Sequence, residues 1–182
     1  MAETIAAERL QPFLLDRITD DAPDQRQESR ERRMLSGREY RKAVLRDLRW
    51  LMNAASHPEP ERLTEYDGIC KPVVSLKDYE GVAESVINFG MADFAGTTAS
   101  SITPRTIEQR VKEAILRFEP RVLKRSLQVT TVQSTTADSS HVVQIEIRGE
   151  LWNLPLPEML FIRTEVDLDT GRCQLVDPSH GG

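Results

Sequence analysis

The spacing of apolar residues changes once along this chain, and that change constrains the fold more than any other feature. Before residue 125, apolar side chains recur every three or four residues, which is typical of helices with one buried face. After residue 125 they alternate with polar residues, which is typical of half-buried strands. The sequence therefore predicts an α+β fold, with three main helices followed by a four-stranded, mainly antiparallel sheet.

The helix predicted to follow Thr103 has the clearest boundaries. Thr103 can cap the free backbone N–H groups, and Pro104 suits the first helical position. Pro120 cannot continue a helix and restricts the backbone of Glu119, so the helix is predicted to stop before that acid. Glu119 and Arg121 then flank a rigid corner.

Two further helices are predicted from their capping signals. Ser36 and Glu39 form a capping box that opens a helix running to about residue 57. Ser75 and Asp78 give a second capping signal, and apolar residues at helical spacing continue to residue 88, just before a stop at Gly90. The predicted strands follow at residues 127–131, 142–148, 159–168 and 173–176.

The length of 182 residues suits one compact domain with tails. We predict an N-terminal anchor and linker at residues 1–35, a domain at residues 36–177 and a flexible tail at residues 178–182. Residues 10–18 form an apolar stretch within the polar tail. This stretch is either a short element that packs on the domain or an anchor that a partner orders.

Charge is distributed unevenly along the chain. The net charge is -5, from 24 basic and 29 acidic residues, yet residues 26–49 hold nine basic and four acidic ones. A basic helical arm beside an acidic domain indicates docking onto another protein. Nucleic-acid binding through this arm is the alternative, and the acidic remainder of the chain argues against it.

The sequence contains few signals for chemistry. Cys70 and Cys173 match no metal or redox spacing, and neither a glycine-rich phosphate loop nor a nucleophile motif occurs, so we predict no metal and no cofactor. Glu119 is the acid with the most distinctive setting, but Arg121 favours its ionised form, the opposite of what a general acid requires. We therefore predict that the protein is not an enzyme, with peptidoglycan hydrolysis as an alternative. No apolar run is long enough to cross a membrane, and we predict a cytoplasmic protein.

Five short motifs follow one another along the chain. They are residues 14–17 (LLDR), 48–53 (LRWLMN), 85–90 (SVINFG) with Asp93 and Gly96, 118–121 (FEPR), and 161–171. Together they resemble the TssE family of baseplate wedge subunits of bacterial type VI secretion systems, which is similar to a wedge protein of contractile-tail phage baseplates. Phe89 stands where this family has tyrosine, and Val122 where leucine is common.

The resemblance implies a structural, cytoplasmic subunit whose fold is called lysozyme-like without implying hydrolysis. Such a subunit joins other wedge subunits, of the TssF, TssG and TssK types, to sheath proteins of the TssB and TssC types, and helps to initiate sheath assembly. Residues 36–177 are then the lysozyme-like wedge domain.

The resemblance also implies two binding sites. We expect Glu119→Ala or Arg121→Ala to keep the fold and weaken wedge binding, and we expect a sheath strand to pair with an edge strand, either residues 142–148 or residues 161–168. The wedge-binding candidates are Leu14, Leu15, Asp16, Arg17, Glu119, Pro120 and Arg121. The sheath-binding candidates are Val143, Ile145, Ile147, Phe161, Arg163 and Glu165.

Overall fold

A computed structural model of the protein describes residues 10–19, 24, 35–56, 79–92, 94, 103–132, 142–153 and 156–176. Helices precede a four-stranded antiparallel sheet, which confirms the predicted α+β class. The helices are α1 (Leu14–Ile18), α2 (Gly37–Asn53), α3 (Glu80–Ala83) and α4 (Pro104–Phe118), and the strands are β1 (Gln128–Val132), β2 (Val142–Leu151), β3 (Glu158–Asp167) and β4 (Cys173–Val176).

The sheet follows the order of the chain, β1-β2-β3-β4. Ile147 pairs with Val129 on one side and with Ile162 on the other, and these side chains point into the core. The turn between β3 and β4 contains Gly171 at φ 69°, the left-handed conformation that glycine adopts without strain. One face of the sheet therefore carries much of the core, as the alternating pattern predicts.

Helix α4 begins and ends where the sequence predicts. Thr103 accepts a hydrogen bond from the backbone N–H of Thr106, Pro104 occupies the first turn, and Phe118 is the last helical residue. Its apolar face packs in the core beside α2 and β1. The buried residues of α4 are Ile107, Val111, Ala114 and Ile115.

Helix α2 has the predicted capping box at Ser36 and Glu39 but ends at Asn53, earlier than predicted. The chain leaves the helix because its next residues pair with the segment at Met91. The backbone N–H of Met91 donates to Ala54 (2.8 Å), and the N–H of Ser56 donates to Met91 (2.9 Å). These exchanged bonds replace the helical ladder.

The helix predicted to run up to residue 88 is interrupted. The described part has the single turn of α3 and then a 3-10 turn, Val86–Asn88. Between them, the Ser85 hydroxyl accepts from the N–H of Ile87 (3.3 Å) and donates to the carbonyl of Val82 (2.8 Å), so it competes with the helical ladder. Val86 and Ile87 are 80% and 82% exposed instead of buried.

Several other predicted features lie outside the described residues. They are the helix start at residues 75–78, Cys70, Asp93 and Gly96 of the third motif, most of the linker before residue 35 and the tail at residues 178–182.

Gly90 allows the Met91 segment to approach the end of α2. Its φ is 141°, and a Cβ at this position would lie 2.5 Å from the carbonyl oxygen of Ala54. We predict that Gly90→Ala lowers the free energy of unfolding by about 2–4 kcal/mol, because it adds backbone strain to a steric clash. Urea unfolding followed by circular dichroism measures this change.

Gly81→Ala is the matched control, since a Cβ at Gly81 in α3 would meet nothing within 4 Å. We expect this change to be neutral or stabilising by up to about 1 kcal/mol. Equal stability of the two variants would contradict the role assigned to Gly90.

Candidate functional site

The corner after α4 is a buried ion-pair cluster. Glu119 is 3% exposed, and its carboxylate accepts two hydrogen bonds from the Arg121 guanidinium, through Nε and Nη2. The same Nη2 also donates to Oδ2 of Asp47, in the middle of α2, at 2.7 Å. The corner therefore ties the end of α4 to α2.

The N-terminal segment covers this corner. The Arg121 guanidinium lies over the Phe13 ring, 4.3 Å from its centroid, and the Phe13 ring packs against Tyr40 at 5.4 Å. Asp16 of α1 pairs with Arg46 of α2. The segment thus packs on the domain, the first of the two interpretations of residues 10–18.

Arg46 and Asp47 join the two halves of the predicted wedge-binding set. Arg46 Nε donates to Oδ1 of Asp47 at 2.9 Å. Acidic and basic side chains therefore alternate in one continuous series of ion pairs, which runs through Asp16, Arg46, Asp47, Arg121 and Glu119. Sequence reasoning did not select Arg46 or Asp47. Asp47 carried a detectable signal, because it lies three residues after Val44 and four before Leu51 on the buried face of α2.

Protonation in the cluster is governed by its partners. Burial opposes the charge of Arg121, but the carboxylates of Glu119 and Asp47 outweigh it and raise its pKa above the ordinary value. The hydrogen bond to Asp16 raises the pKa of Arg46. A Glu119 carboxylate held this closely by a permanent cation suits a structural role better than proton transfer.

The exposed members of the predicted wedge-binding set lie around this buried cluster. Leu14, Arg17 and Pro120 are exposed, and Leu15 is partly buried. The charges of Glu119 and Arg121 face inward, so a partner that docks here contacts the outer residues first.

The sheath-binding candidates do not lie on edge strands. Residues 142–148 belong to β2 and residues 161–168 to β3 and its turn, and β2 and β3 are the two inner strands, so the expectation that one of them is an edge is wrong. The short strands β1 and β4 pair outside them. Ile145 and Ile147 are also fully buried, whereas Arg163 and Glu165 lie on the outer face of the sheet.

Phe161 and Arg163 take part in a cluster on that outer face. The guanidinium groups of Arg148 and Arg163 lie 5.2 and 5.6 Å from the Phe161 ring centroid, and both arginines pair with Glu146. The hydrogen bond from Arg148 and a further one from Arg163 lower the pKa of Glu146.

Side chains from the helices cap backbone groups on the outer strands β1 and β4 and at the start of β3. Glu108 of α4 accepts from the N–H of Thr131 in β1 at 2.8 Å. Asn53 Oδ1 accepts from the backbone N–H of Cys173 in β4 (3.1 Å), and Asn53 Nδ2 donates to the carbonyl of Cys173 (3.0 Å). Arg41 donates to the carbonyl of Met159 in β3 at 2.8 Å. Such caps limit unwanted strand pairing.

A protein-family model, Baseplate wedge protein gp25, matches residues 38–155, nearly two thirds of the chain. The chain belongs to this family. The match spans α2, α4, the corner and β2, whereas α1 and the strands β3 and β4 lie outside it. Comparison with curated proteins and with solved structures gives no match.

Family membership confirms the resemblance to baseplate wedge subunits and identifies a structural component of phage-tail-like baseplates. Among the described residues of this wedge protein, no three His, Cys, Asp or Glu side chains form a group that could hold a metal ion. No helix in the described ranges has the length and apolar content to span a membrane.

Burial of Glu119 changes the expected effect of substituting it. We predict that Glu119→Gln in the wedge protein lowers the free energy of unfolding by about 3–5 kcal/mol, because it removes the charge that balances a buried Arg121. Chemical denaturation at neutral pH measures this loss.

Glu165→Gln is the control for the loss of a carboxylate, since Glu165 is exposed on β3. We expect it to change stability by less than about 0.5 kcal/mol. Similar stabilities for the two variants would show that the corner pair contributes little to the fold.

Tyr40 provides a test of the core beside the corner. It is 1% exposed, and its hydroxyl has no hydrogen-bond partner among the described residues. Burial raises the pKa of Tyr40 to about 12; Arg121 opposes this shift, and Glu119 and Glu158 add to it. A raised pKa means that the protonated hydroxyl stabilises the fold below pH 10, and that this contribution is lost as the pH rises towards 12.

We predict that Tyr40→Phe is near neutral at pH 7 and weakens the loss of stability between pH 10 and 12 by roughly 2 kcal/mol. Urea unfolding of both proteins across this range measures the difference. Cys173, with a pKa raised to about 11 by burial, contributes equally to both proteins. Parallel pH profiles would show that the Tyr40 hydroxyl ionises in the folded state without penalty.

Proposed function

We propose that this wedge protein is the TssE-type subunit of a type VI secretion system, where it joins the wedge complex to the contractile sheath and helps to initiate sheath assembly. The corner cluster is the observation that best supports a structural role. Five alternating charges link α1, α2 and the end of α4 into one unit, in which Glu119 is ion-paired with Arg121. Such a unit suits a joint between subunits and offers no free acid for hydrolysis.

The wedge-binding site of the proposal is α1 together with the corner. Leu14 and Ile18 are exposed apolar side chains on the face of α1 that turns away from Asp16, and Arg17 and Pro120 are exposed beside them. We infer that wedge subunits of the TssF, TssG and TssK types contact these outer residues, while Glu119 and Arg121 hold the surface in shape. The corner charges then act through the fold.

The sheath-binding site of the proposal is a described edge strand, β1 or β4. Both carry outward backbone groups that helix side chains cap at Thr131 and Cys173. An incoming strand of a sheath protein of the TssB or TssC type would exchange those caps for backbone hydrogen bonds. We place this assembly in the cytoplasm and assign it no catalytic activity.

Co-purification tests the proposal. The tagged wedge protein is co-expressed with the proteins encoded beside it, and we expect it to isolate wedge and sheath subunits together. Leu14→Glu with Ile18→Glu should reduce recovery of the wedge subunits at least tenfold, because it places charge in an apolar contact. Recovery of the sheath subunits, which use the opposite part of the fold, should be unchanged in a direct binary assay.

Val86→Glu with Ile87→Glu is the matched control, since these apolar side chains are equally exposed and lie outside both proposed sites. Equal recovery of the wedge subunits by the α1 variant and this control would remove α1 from the interface. Clearing of a cell-wall suspension by the purified protein, abolished by Glu119→Gln under conditions where the variant stays folded, would contradict the non-enzymatic role.

A further inference from the structure

Three cations of α2 are left without a salt bridge by the internal ion pairs. Arg38, Lys42 and Arg49 are exposed, and no salt bridge joins them to a carboxylate in the part of the chain that the structure describes. The other charges of α2 are engaged: Glu39 in the capping box, and Arg41, Arg46 and Asp47 in salt bridges.

These three cations lie on one line. At the helical repeat, positions 38, 42 and 49 fall within about 40° of arc, and the line is about 17 Å long. We call Arg38, Lys42 and Arg49 the α2 stripe. Hydrogen bonds from Ser36 lower the pKa of Glu39, with a smaller contribution from Lys42, so the one acid near the stripe is already committed to the N-terminus of α2.

An exposed aromatic side chain lies on the neighbouring face of α2, about 100° of arc from Arg49. Trp50 follows Arg49, is 54% exposed, and its ring lies under the Arg46 guanidinium at 5.8 Å. Arg46 in turn is held by Asp16 and Asp47, so the indole is supported from one side and open on the other. A large apolar side chain supported in this way is typical of an anchor at a protein interface.

We propose that the α2 stripe and Trp50 form a docking site for an acidic, amphipathic helix of a partner protein. Carboxylates three, four or seven residues apart along such a helix match the spacing of the three cations, and an apolar row beside them covers the indole. Charge complementarity selects this occupant. The protein carries a net charge of -5, so the stripe is a basic line on an acidic molecule.

A protein helix fits these observations better than nucleic acid does. The acidic remainder of the chain repels a long polyanion, which extends well beyond a line of about 17 Å, whereas a short acidic helix matches that length. One exposed indole also provides no series of stacking platforms for successive bases. The α2 stripe shares no residue with the wedge-binding or sheath-binding sites proposed above, so it is tested independently of them.

The test uses the full-length protein and a labelled peptide of about 18 residues, designed as a helix with glutamates on one face and leucines beside them. We expect binding that weakens as salt rises, measured by fluorescence anisotropy. Arg38→Glu, Lys42→Glu and Arg49→Glu together should weaken it tenfold or more, and Trp50→Ala should weaken it severalfold. The charge-conserving variant, Arg38→Lys, Lys42→Arg and Arg49→Lys, should bind like the wild type.

Control ligands decide between occupants. The same peptide with glutamine in place of glutamate should bind at least tenfold more weakly, and a short DNA duplex should bind more weakly than the acidic peptide. Equal or tighter binding of the duplex would assign the stripe to nucleic acid and overturn the proposal. Self-association that the triple glutamate variant abolishes in sedimentation would assign it to a second copy of the chain, and would also overturn it.

Two further outcomes separate this inference from the proposed function. If the triple glutamate variant and Trp50→Ala both bound the peptide as well as the wild type, while wedge subunits still co-purified, the docking site would be rejected and the proposed function would stand. Stripe-dependent peptide binding without co-purification of wedge subunits would retain the docking site and reject the TssE-type role.

Discussion

The Arg121 guanidinium is the group on which the arrangement of the helices depends. It bonds Glu119 at the end of α4 and Asp47 in the middle of α2, and it stacks on Phe13 before α1. A planar guanidinium suits this position because it donates along several edges while its face remains available for stacking. Removal of one partner from a buried ion pair costs more free energy than the intact pair contributes. Loss of Glu119 or of Asp47 would therefore leave the buried charge of Arg121 poorly compensated. The proline that ends α4 places Arg121 where all three contacts are within reach.

The outer strands of the sheet are capped by side chains from the helices. Glu108 and Asn53 satisfy backbone groups on the outer strands β1 and β4, and Arg41 satisfies one on the part of β3 that β4 does not pair. Each of these side chains comes from a helix. A net hydrogen bond of this kind contributes about 1 kcal/mol, and a backbone partner replaces it at little cost. These side-chain caps therefore disfavour nonspecific strand pairing, whereas a strand that forms several backbone hydrogen bonds at once could displace the caps. An incoming strand would therefore have to displace side chains of α2 or α4.

The sequence predicted the features that depend on neighbouring residues. Local backbone chemistry predicts the capping box at Ser36, the start and end of α4 and the residues of β4, and the structure has them as predicted. Partners distant in the chain were not predictable in this way. Asp47 meets Arg121 only because α2 and α4 pack together. The strands β2 and β3 are inner strands because the shorter strands β1 and β4 pair outside them. The helix predicted up to residue 88 failed for a local reason, because the Ser85 hydroxyl competes with the helical ladder at a point where the apolar spacing continues.

The family match covers only part of the corner. Asp47, Glu119 and Arg121 lie within residues 38–155, whereas Phe13 and Asp16 precede that range. Arg121 bonds the carboxylates of Asp47 and Glu119 directly, and neither bond involves a residue of α1. These two ion pairs therefore do not need the N-terminal segment. That segment is attached by one fully buried apolar residue, Leu10, by the stack of Phe13 and by the partly exposed pair of Asp16 with Arg46. The pair contributes about 0.2–1 kcal/mol and the cation–π contact about 0.5–2 kcal/mol, whereas breaking a buried pair such as Glu119 with Arg121 costs about 3–5 kcal/mol. A partner that displaced α1 would therefore break the outer contacts before the buried pair.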